Sequence, residues 1–238
     1  MYKFDLHIHS FYSKDSIIDP KKVIAVAKKK GMSGIAITDH NTIKGGIETA
    51  KNCEDDFFVI VGSEVATEQG DIIGLFLNEE IKSHNSFEVI DEIKDQDGLV
   101  VLPHPYRINN KIDPALLNKI DAIEVFNART NSHKNDRAYA LAEKHHYPMV
   151  VGSDAHFYGE IGKARIVLKD IASEENIKKQ ILSNETKNEK DLIFAGNIYY
   201  RALSVLIKKS AISKNVISKL QYLYYNRMAI FIYHAYLK

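Results

Sequence analysis

Short apolar segments alternate with helix-like patterns along roughly the first two thirds of the 238-residue sequence. Strands of this kind, joined by helical crossovers, pair in parallel and connect in the right-handed sense. Seven such units predict an α/β fold whose sheet closes into a barrel, with the functional site at the carboxyl ends of the strands. The predicted strands are residues 2–9, 34–38, 57–62, 99–102, 122–126, 149–152 and 164–168.

The connections between these strands carry helix and turn signals. Asp19 is expected to cap the first helix, with Pro20 at its first position, and Ser86 to cap a later helix. Residues 65–67 and 71–77 are expected to pair as a β-hairpin.

Residues that commonly bind metals follow six consecutive predicted strands. A single histidine at a strand end is usually structural, but five of the ten histidines belong to this set. Because these strand ends point to one rim of a barrel, the set predicts a metal centre there. The residues are His7, His9, Asp39, His40, Glu64, His104, Asn127, Asp154 and His156.

The composition of this set indicates which ions and which chemistry to expect. Side chains of His, Asp and Glu without Cys suit Zn, Mn or Fe. The set has more ligands than one tetrahedral ion uses, so two or three divalent ions sharing a carboxylate are expected. Clustered ions that share an activated water typically catalyse displacement at phosphorus.

Cysteine content and hydropathy restrict the setting of the protein. The single cysteine, Cys53, excludes an internal disulfide and suits a reducing cytosol, so we expect a cytoplasmic protein. The sequence begins with a predicted strand and has no segment typical of a signal peptide. It also has no run of about 18 apolar residues, so no membrane span is expected.

The end of the chain differs in composition from the rest. From Gly196 to Lys238 there are seven Lys or Arg residues, no Asp or Glu, and seven of the thirteen tyrosines. We therefore expect a barrel domain over residues 1–170 and a helical, basic, tyrosine-rich extension over residues 171–238. The extension is expected either to pack on the barrel or on a partner subunit of a homo-oligomer, or to bind nucleic acid or an anionic surface.

Five segments resemble, in order, the motifs of the PHP (polymerase and histidinol phosphatase) family. The resemblance implies a distorted seven-stranded (β/α) barrel, similar to a TIM barrel, with a centre of two or three metal ions. The segments are Asp5-Leu6-His7-Ile8-His9-Ser10, Thr38-Asp39-His40, Gly62-Ser63-Glu64, Pro103-His104-Pro105 and Gly152-Ser153-Asp154-Ala155-His156.

The resemblance also implies a role for each matching residue. A first ion would be held by His7, His9, Glu64 and Asp154, a second by Glu64 and His104, and a third by Asp15, His40 and His156. Family members carry His or Asp at the position of Asp15. Asp39 is expected either to orient a ligand or to be a solvated strand-end residue.

One position departs from the pattern of the family. Some members with three ions have a histidine where this chain has Asn127, and an amide oxygen is a poorer ligand. The occupancy of the second site is therefore left open, and Asn127 is an alternative substrate contact. Arg107 and Arg129 are expected to bind a substrate phosphate, since a guanidinium suits that anion.

A metal-dependent phosphoesterase is the function that the resemblance implies. A metal-bridging hydroxide would attack phosphorus, and Glu64, Asp154, His156 and Arg107 would form the catalytic set. Residues 11–16, Phe-Tyr-Ser-Lys-Asp-Ser, differ from the Cys-Pro-His-Gly-like segment of the histidinol phosphatases. We therefore expect a small-molecule or nucleotide phosphomonoester or phosphodiester as substrate. The alternatives are a non-catalytic metal-binding scaffold and a binding module that uses the basic extension.

Overall fold

A computed structural model describes residues 1–53, 56–108, 111–183 and 187–190 of the chain. Its strands are β1 (Tyr2–Ile8), β2 (Gly34–His40), β3 (Phe58–Thr67), β4 (Gly70–Leu75), β5 (Leu99–Leu102), β6 (Ala122–Asn127), β7 (Met149–Gly152), β8 (Ala164–Leu168) and β9 (Lys187–Lys190). Its helices are α1 (Val23–Lys29), α2 (Lys44–Ala50), α3 (Ser86–Lys94), α4 (Pro114–Leu117), α5 (Ser132–His145) and α6 (Glu174–Leu182).

The strands form one sheet in the order β7-β6-β5-β4-β3-β2-β1-β8-β9. The sheet nearly closes into a barrel where the end of β1 meets the segment after β7. There the N–H of His9 donates to the carbonyl of Ala155 over 2.9 Å, and Ile8 and Ala155 form a parallel bridge. We call this contact, between residues 7–9 and 153–156, the seam. The predicted barrel and all seven predicted strands are confirmed.

The predicted β-hairpin is confirmed, since residues 65–67 of β3 pair with β4, whereas the expectation of parallel pairing is wrong between β4 and β5 and between β8 and β1. β4 is antiparallel to both β3 and β5, and β8 is antiparallel to β1. The expected segment 65–67 is the continuation of β3, which Glu68 and Gln69 connect directly to β4. So short a connection can join only antiparallel neighbours.

Two predicted helix caps also differ from the structure. The first helix begins at Val23 rather than at Pro20, and its N-cap residue is Lys22. Asp19 instead closes the preceding turn, since its side chain accepts a hydrogen bond from the N–H of Lys21. At α3 the capping side chain is that of Asn85, one residue before Ser86, and it accepts from two backbone N–H groups.

Both faces of the strands near the site are buried. On β2, Ile35 and Ile37 pack in one apolar cluster, whereas Ala36 packs in the other. Successive side chains along a strand point to opposite faces of the sheet. One set of β2 side chains therefore packs under the surrounding helices, and the other set fills the interior of the barrel. Polar chemistry is therefore concentrated at the rim.

The region after residue 170 is partly described. It contains α6 and the unpredicted strand β9, which pairs with β8. The predicted helical tail after Gly196 lies outside the described residues, and the proposed domain boundary stays a prediction. Within the described ranges, no helix is long and apolar enough to cross a membrane.

Candidate metal centre

The eight residues predicted as metal ligands all meet at one end of the barrel, and we call them the rim cluster. Three of the overlapping groups found there have possible ligand atoms within 4.8 Å of one another: His9, His40 and His156; His7, His104 and Asp154; and His7, His9 and Glu64. All but His40 are buried. The complete cluster is His7, His9, Asp15, His40, Glu64, His104, Asp154 and His156.

The carboxylate of Glu64 lies between the two halves of this cluster. One oxygen, Oε1, is 2.8 Å from Nε2 of His104. The other, Oε2, is 3.1 Å from Nδ1 of His40 and 3.2 Å from Nε2 of His9. A single carboxylate therefore faces imidazoles on both sides, which is the arrangement of a bridging ligand.

The nitrogens of His7 and His9 indicate the polarity of the space between them. Nδ1 of His7 donates to Glu124, and Nδ1 of His9 donates to the hydroxyl of Ser13, whose own proton goes to Asp39. With the ring protons on Nδ1, the two Nε2 atoms present lone pairs to each other at 3.1 Å. Two neutral acceptors this close need a positive charge beside them, which an added proton supplies in the metal-free protein and a divalent cation would supply in its place.

Asp15, His40 and His156 form the outer part of the rim cluster. Oδ1 of Asp15 is 3.2 Å from Nε2 of His156 and 3.6 Å from Nε2 of His40. Nδ1 of His156 lies 2.8 Å from the carbonyl of Asp154 and donates to it. Nε2 of His156 is buried and makes no hydrogen bond within the described part of the chain. This orphaned acceptor, with its N/O surroundings, fits a divalent cation.

The pKa values in the rim cluster reflect the same closeness of imidazoles and carboxylates. Burial alone would lower the pKa of His9, but hydrogen bonds to Asp154 and Glu64 raise it to about 9. Burial likewise opposes the charge of Glu64, yet its histidine neighbours, led by His7, hold the pKa of the carboxyl well below its usual range. Burial and the charge of His9 lower the pKa of His156 to about 3. In the metal-free protein, protons on His7 and His9 thus neutralise the carboxylates.

Glu124 is a buried carboxylate that sequence reasoning did not select. Its Oε1 accepts from Nδ1 of His7 over 3.0 Å, and its Oε2 accepts from the backbone N–H of His104 over 2.9 Å and from the amide of Asn127 over 3.0 Å. One side chain therefore orients residues of both halves of the rim cluster. The signal was visible, because Glu124 is the one charged residue in the apolar segment 122–126.

Asp39 supports the loop after β1 and is not solvated. Its two oxygens accept from the backbone N–H and hydroxyl groups of Ser10 and Ser13 at 2.6–3.1 Å. Through Ser13 it reaches His9 rather than its neighbour His40. Of the two expectations for Asp39, the structure agrees with the orienting one.

Known proteins resemble this chain both in sequence and in fold. An uncharacterized protein of Methanocaldococcus jannaschii is 48% identical over 144 residues, which cover 53% of this chain and 82% of that relative. A second uncharacterized protein of the same organism is 38% identical over 188 residues, which cover 74% of this chain and 73% of the relative. The family model PHP_C, described as PHP-associated, matches residues 132–186. The chain belongs to the PHP family.

A solved structure agrees with this assignment at the level of the fold. It is a two-domain protein of Bacteroides vulgatus containing a predicted PHP-like metal-dependent phosphoesterase, with a TM-score of 0.68 and 19% sequence identity. The match covers 80% of this chain and 65% of the other, so the chain spans somewhat less than two thirds of that neighbour.

Asn127 occupies the position at which some PHP members have a histidine, and its amide is fully engaged. Its oxygen accepts from Arg107 over 2.6 Å and from the backbone N–H of Arg129 over 3.0 Å. Its nitrogen donates to Glu124 and, over 3.4 Å, to Asp154. The side chain thus holds neighbouring groups in place and does not face the rim cluster with a free oxygen.

The two arginines that were predicted to bind phosphate have different surroundings. Arg107 is 23% exposed, and its Nη2 contacts Oδ2 of Asp154 over 2.5 Å, whereas Nε and Nη2 both donate to Thr130. Arg129 is only 7% exposed, and its Nη1 lies 3.8 Å from Glu160. Arg107 therefore borders the open part of the site, while Arg129 lies beneath the segment after β7.

Asp71, on β4, is a second residue that the sequence did not indicate. Its carboxylate lies within 4.8 Å of the ligand atoms of Glu64 and His104. Burial and the charge of Glu64 raise its pKa. It also lines a cleft together with His104 and Arg107.

Proposed function

We propose that this PHP-family protein is a metal-dependent hydrolase of phosphoric esters. The expected substrate is a small-molecule or nucleotide phosphomonoester or phosphodiester. The observation that carries the proposal is the carboxylate of Glu64, which faces His104 on one side and His9 and His40 on the other, next to the guanidinium of Arg107. Resemblance to a protein described as containing a phosphoesterase supports the same class of reaction.

The ligand assignment is the one that the resemblance to the PHP family implies. His7, His9, Glu64 and Asp154 would hold a first ion. Glu64 and His104 would hold a second, and Asp15, His40 and His156 a third. When bound, divalent ions such as Zn, Mn or Fe supply Lewis acidity at the phosphoryl oxygens and an activated water.

The protein's own contribution is binding, charge compensation and orientation. Arg107 borders the cleft and would pair with the phosphate, while Asn127 and Thr130 fix the plane of its guanidinium. Arg129 would act from below by holding the segment that carries Asp154 and His156, because its Nη1 is 3.4 Å from the carbonyl of Asp154. This role replaces direct phosphate binding for Arg129 in our proposal.

The remaining partner predictions depend on residues beyond the described ranges. Binding of nucleic acid or an anionic surface, and formation of a homo-oligomer, were predicted from the basic tail after Gly196. Cytoplasmic location stays a prediction from cysteine usage.

The proposal is tested by metal analysis together with hydrolysis of generic phosphoesters in the presence of Mn, Zn or Fe. His9→Ala and Glu64→Ala should each reduce turnover by more than about 100-fold, since even residues that only orient a ligand contribute about 10–100-fold. His133→Ala, at an exposed position on α5, is the matched control and should retain full activity. Two or more bound ions with no turnover on any ester would instead favour a metal-binding scaffold.

A further inference from the structure

The second ion of the proposed centre lacks a third protein ligand if only the predicted residues are considered. Glu64 and His104 face each other at 2.8 Å, and the expected third position is that of Asn127. However, the oxygen of Asn127 already accepts hydrogen bonds from Arg107 and from the backbone of Arg129. Using it as a ligand would break both interactions.

The antiparallel strand β4 brings another oxygen donor to the same place. In the β3–β4 ladder Glu64 is opposite Ile73, and Ala66 is opposite Asp71. Residues opposite each other, and those two positions along a strand, share one face of the sheet, so Asp71 and Glu64 point to the same side. His104 follows β5, the other neighbour of β4, and completes the triangle.

We propose that Asp71 is a ligand of the second ion and forms, with Glu64 and His104, a divalent-cation site that Asn127 does not complete. The three side chains offer ligand atoms within 4.8 Å of one another. Two carboxylates and one imidazole suit a hard ion such as Mn²⁺ better than the one carboxylate and two imidazoles of Asp15, His40 and His156 do. The inference rests on the proposed metal-dependent function for the presence of an ion.

The position of Asp71 connects this site to the cleft. The cleft is lined by Asp71, His104 and Arg107, among others. Asp71 is half-buried, whereas Glu64 and His104 are buried. The second ion would therefore be the one reached from solvent through the cleft, on the side where Arg107 can meet a phosphate.

Manganese titration of the metal-free, full-length protein tests the assignment. Wild-type protein and the Asp71→Asn, Asp71→Ala and Asp136→Asn variants would be titrated with Mn²⁺ by calorimetry, with free Mn²⁺ followed by electron paramagnetic resonance. We expect the affinity of one Mn²⁺-binding step to fall at least about tenfold in both Asp71 variants. Loss of a residue that only orients a ligand already lowers metal affinity by about 10–100-fold, and loss of a ligand itself should cost at least as much. Asp136 is exposed on α5, so its variant should bind as the wild type does.

Thermal unfolding separates a ligand from a structural residue. Without metal, the carboxylate of Asp71 faces that of Glu64, and removing one of two like charges should leave the unfolding temperature unchanged or raise it. With Mn²⁺ present, the rise in unfolding temperature should be smaller in Asp71→Asn than in the wild type. A lower unfolding temperature of the metal-free variant would indicate a structural role and would overturn the proposal.

The outcomes for the ligand and for the enzyme are distinguishable. Unchanged stoichiometry and affinities in both Asp71 variants, with phosphoesterase activity present in the wild type, would overturn the role of Asp71 alone. A weakened Mn²⁺ step in the variants, with no hydrolysis by the wild type, would remove the proposed enzyme but keep the ligand. Failure of the wild type to bind Mn²⁺ at Glu64 and His104 would overturn both.

Discussion

The rim cluster has two sides that are built differently. At the seam, His7, His9 and Asp154 are buried, and each is held by a further hydrogen bond or ion pair to Glu124, Ser13 or Arg107. On the other side, which we call the hairpin side, Asp71 on β4 is half-buried and the side chain of His40 is 29% exposed. The centre thus has one preorganised wall and one wall open to solvent.

The origin of this difference is topological. The seam joins two segments that run parallel and are buried on both faces, so its polar groups need partners, and Nε2 of His156 is the exception. The hairpin side contains an inserted antiparallel strand, whose connection to β5 runs over α3 at the surface. We therefore expect a rigid backbone at the seam, where ions would be bound. We expect a more variable backbone on the hairpin side, where substrate would enter.

Removal of the ions should produce the largest change, and it should act mainly on the seam. With free metal at about 1,000 times its Kd, chelation should lower the free energy of unfolding by about 4 kcal/mol. Hydrogen exchange should quicken at the amides of His9 and Ala155, which donate across the seam, more than in the β3–β4 ladder. Equal loss of protection in both regions would contradict the distinction between the two walls.

The stabilisation of the protein by bound metal should increase with pH. The pKa of His9 is raised to about 9 in the metal-free protein by its hydrogen bonds to carboxylates, which outweigh burial. This protonation stabilises the metal-free fold fully below about pH 6.5, and the contribution is lost as pH rises through 9. The difference in unfolding temperature between metal-loaded and metal-free protein should therefore grow from pH 6.5 to 9. A difference in unfolding temperature that narrows between pH 6.5 and 9 would contradict the raised pKa of His9 in the metal-free protein.

Glu124→Gln should have an intermediate effect, chiefly on metal affinity. The single amide oxygen can accept from His7 or from His104 and Asn127 but not from both sides, and it no longer supplies the negative charge that strengthens imidazole as a ligand, so affinity should fall about 10–100-fold. Calorimetric titration with Zn²⁺ would measure this. Glu143→Gln, on α5, is a control that should bind Zn²⁺ normally. Wild-type affinity in Glu124→Gln would mean that the seam is not organised through this carboxylate.

Thr130→Val should have the smallest effect and should act on the open side. Thr130 accepts two hydrogen bonds from Arg107 at 3.1–3.2 Å, and losing them should cost about 1 kcal/mol, seen as a roughly fivefold higher KM. Thr49→Val is the isosteric control, because the hydroxyl of Thr49 is buried without a hydrogen bond in the part of the chain that is described. A change in kcat with KM unaltered would place Thr130 in the reaction itself rather than in substrate binding.

The sequence indicated those residues of the candidate site that lie at the ends of predicted strands. His7, His9, Glu64 and Asp154 end or follow apolar segments, and in a barrel of parallel strands such positions meet without any knowledge of pairing. The rim cluster could therefore be predicted from local patterns and motifs. Their roles as ligands stay predictions until metal is measured.

Glu124 and Asp71 depend on information that a linear pattern does not contain. Glu124 lies inside a strand, and its partners His7 and His104 are 117 and 20 residues away. Asp71 faces Glu64 only because β4 is inserted antiparallel between β3 and β5, with Ala66 opposite Asp71. The lone charge of Glu124 in its apolar segment was visible in the sequence, but predicting what either carboxylate contacts required the register and direction of strands, which are set by non-local packing.

The seam would also determine when, during synthesis, the proposed metal centre can form. The hydroxyl of Ser153 bonds to the carbonyl of His7 across 146 residues of chain. A nascent chain that has reached residue 104 already carries six members of the rim cluster, yet neither Asp154 nor His156 has been made. Ions that bound the early histidines would therefore not be enclosed, and tight capture must await closure of the barrel, a slow long-range step. Metal uptake during translation would report completion of the fold and would not initiate it.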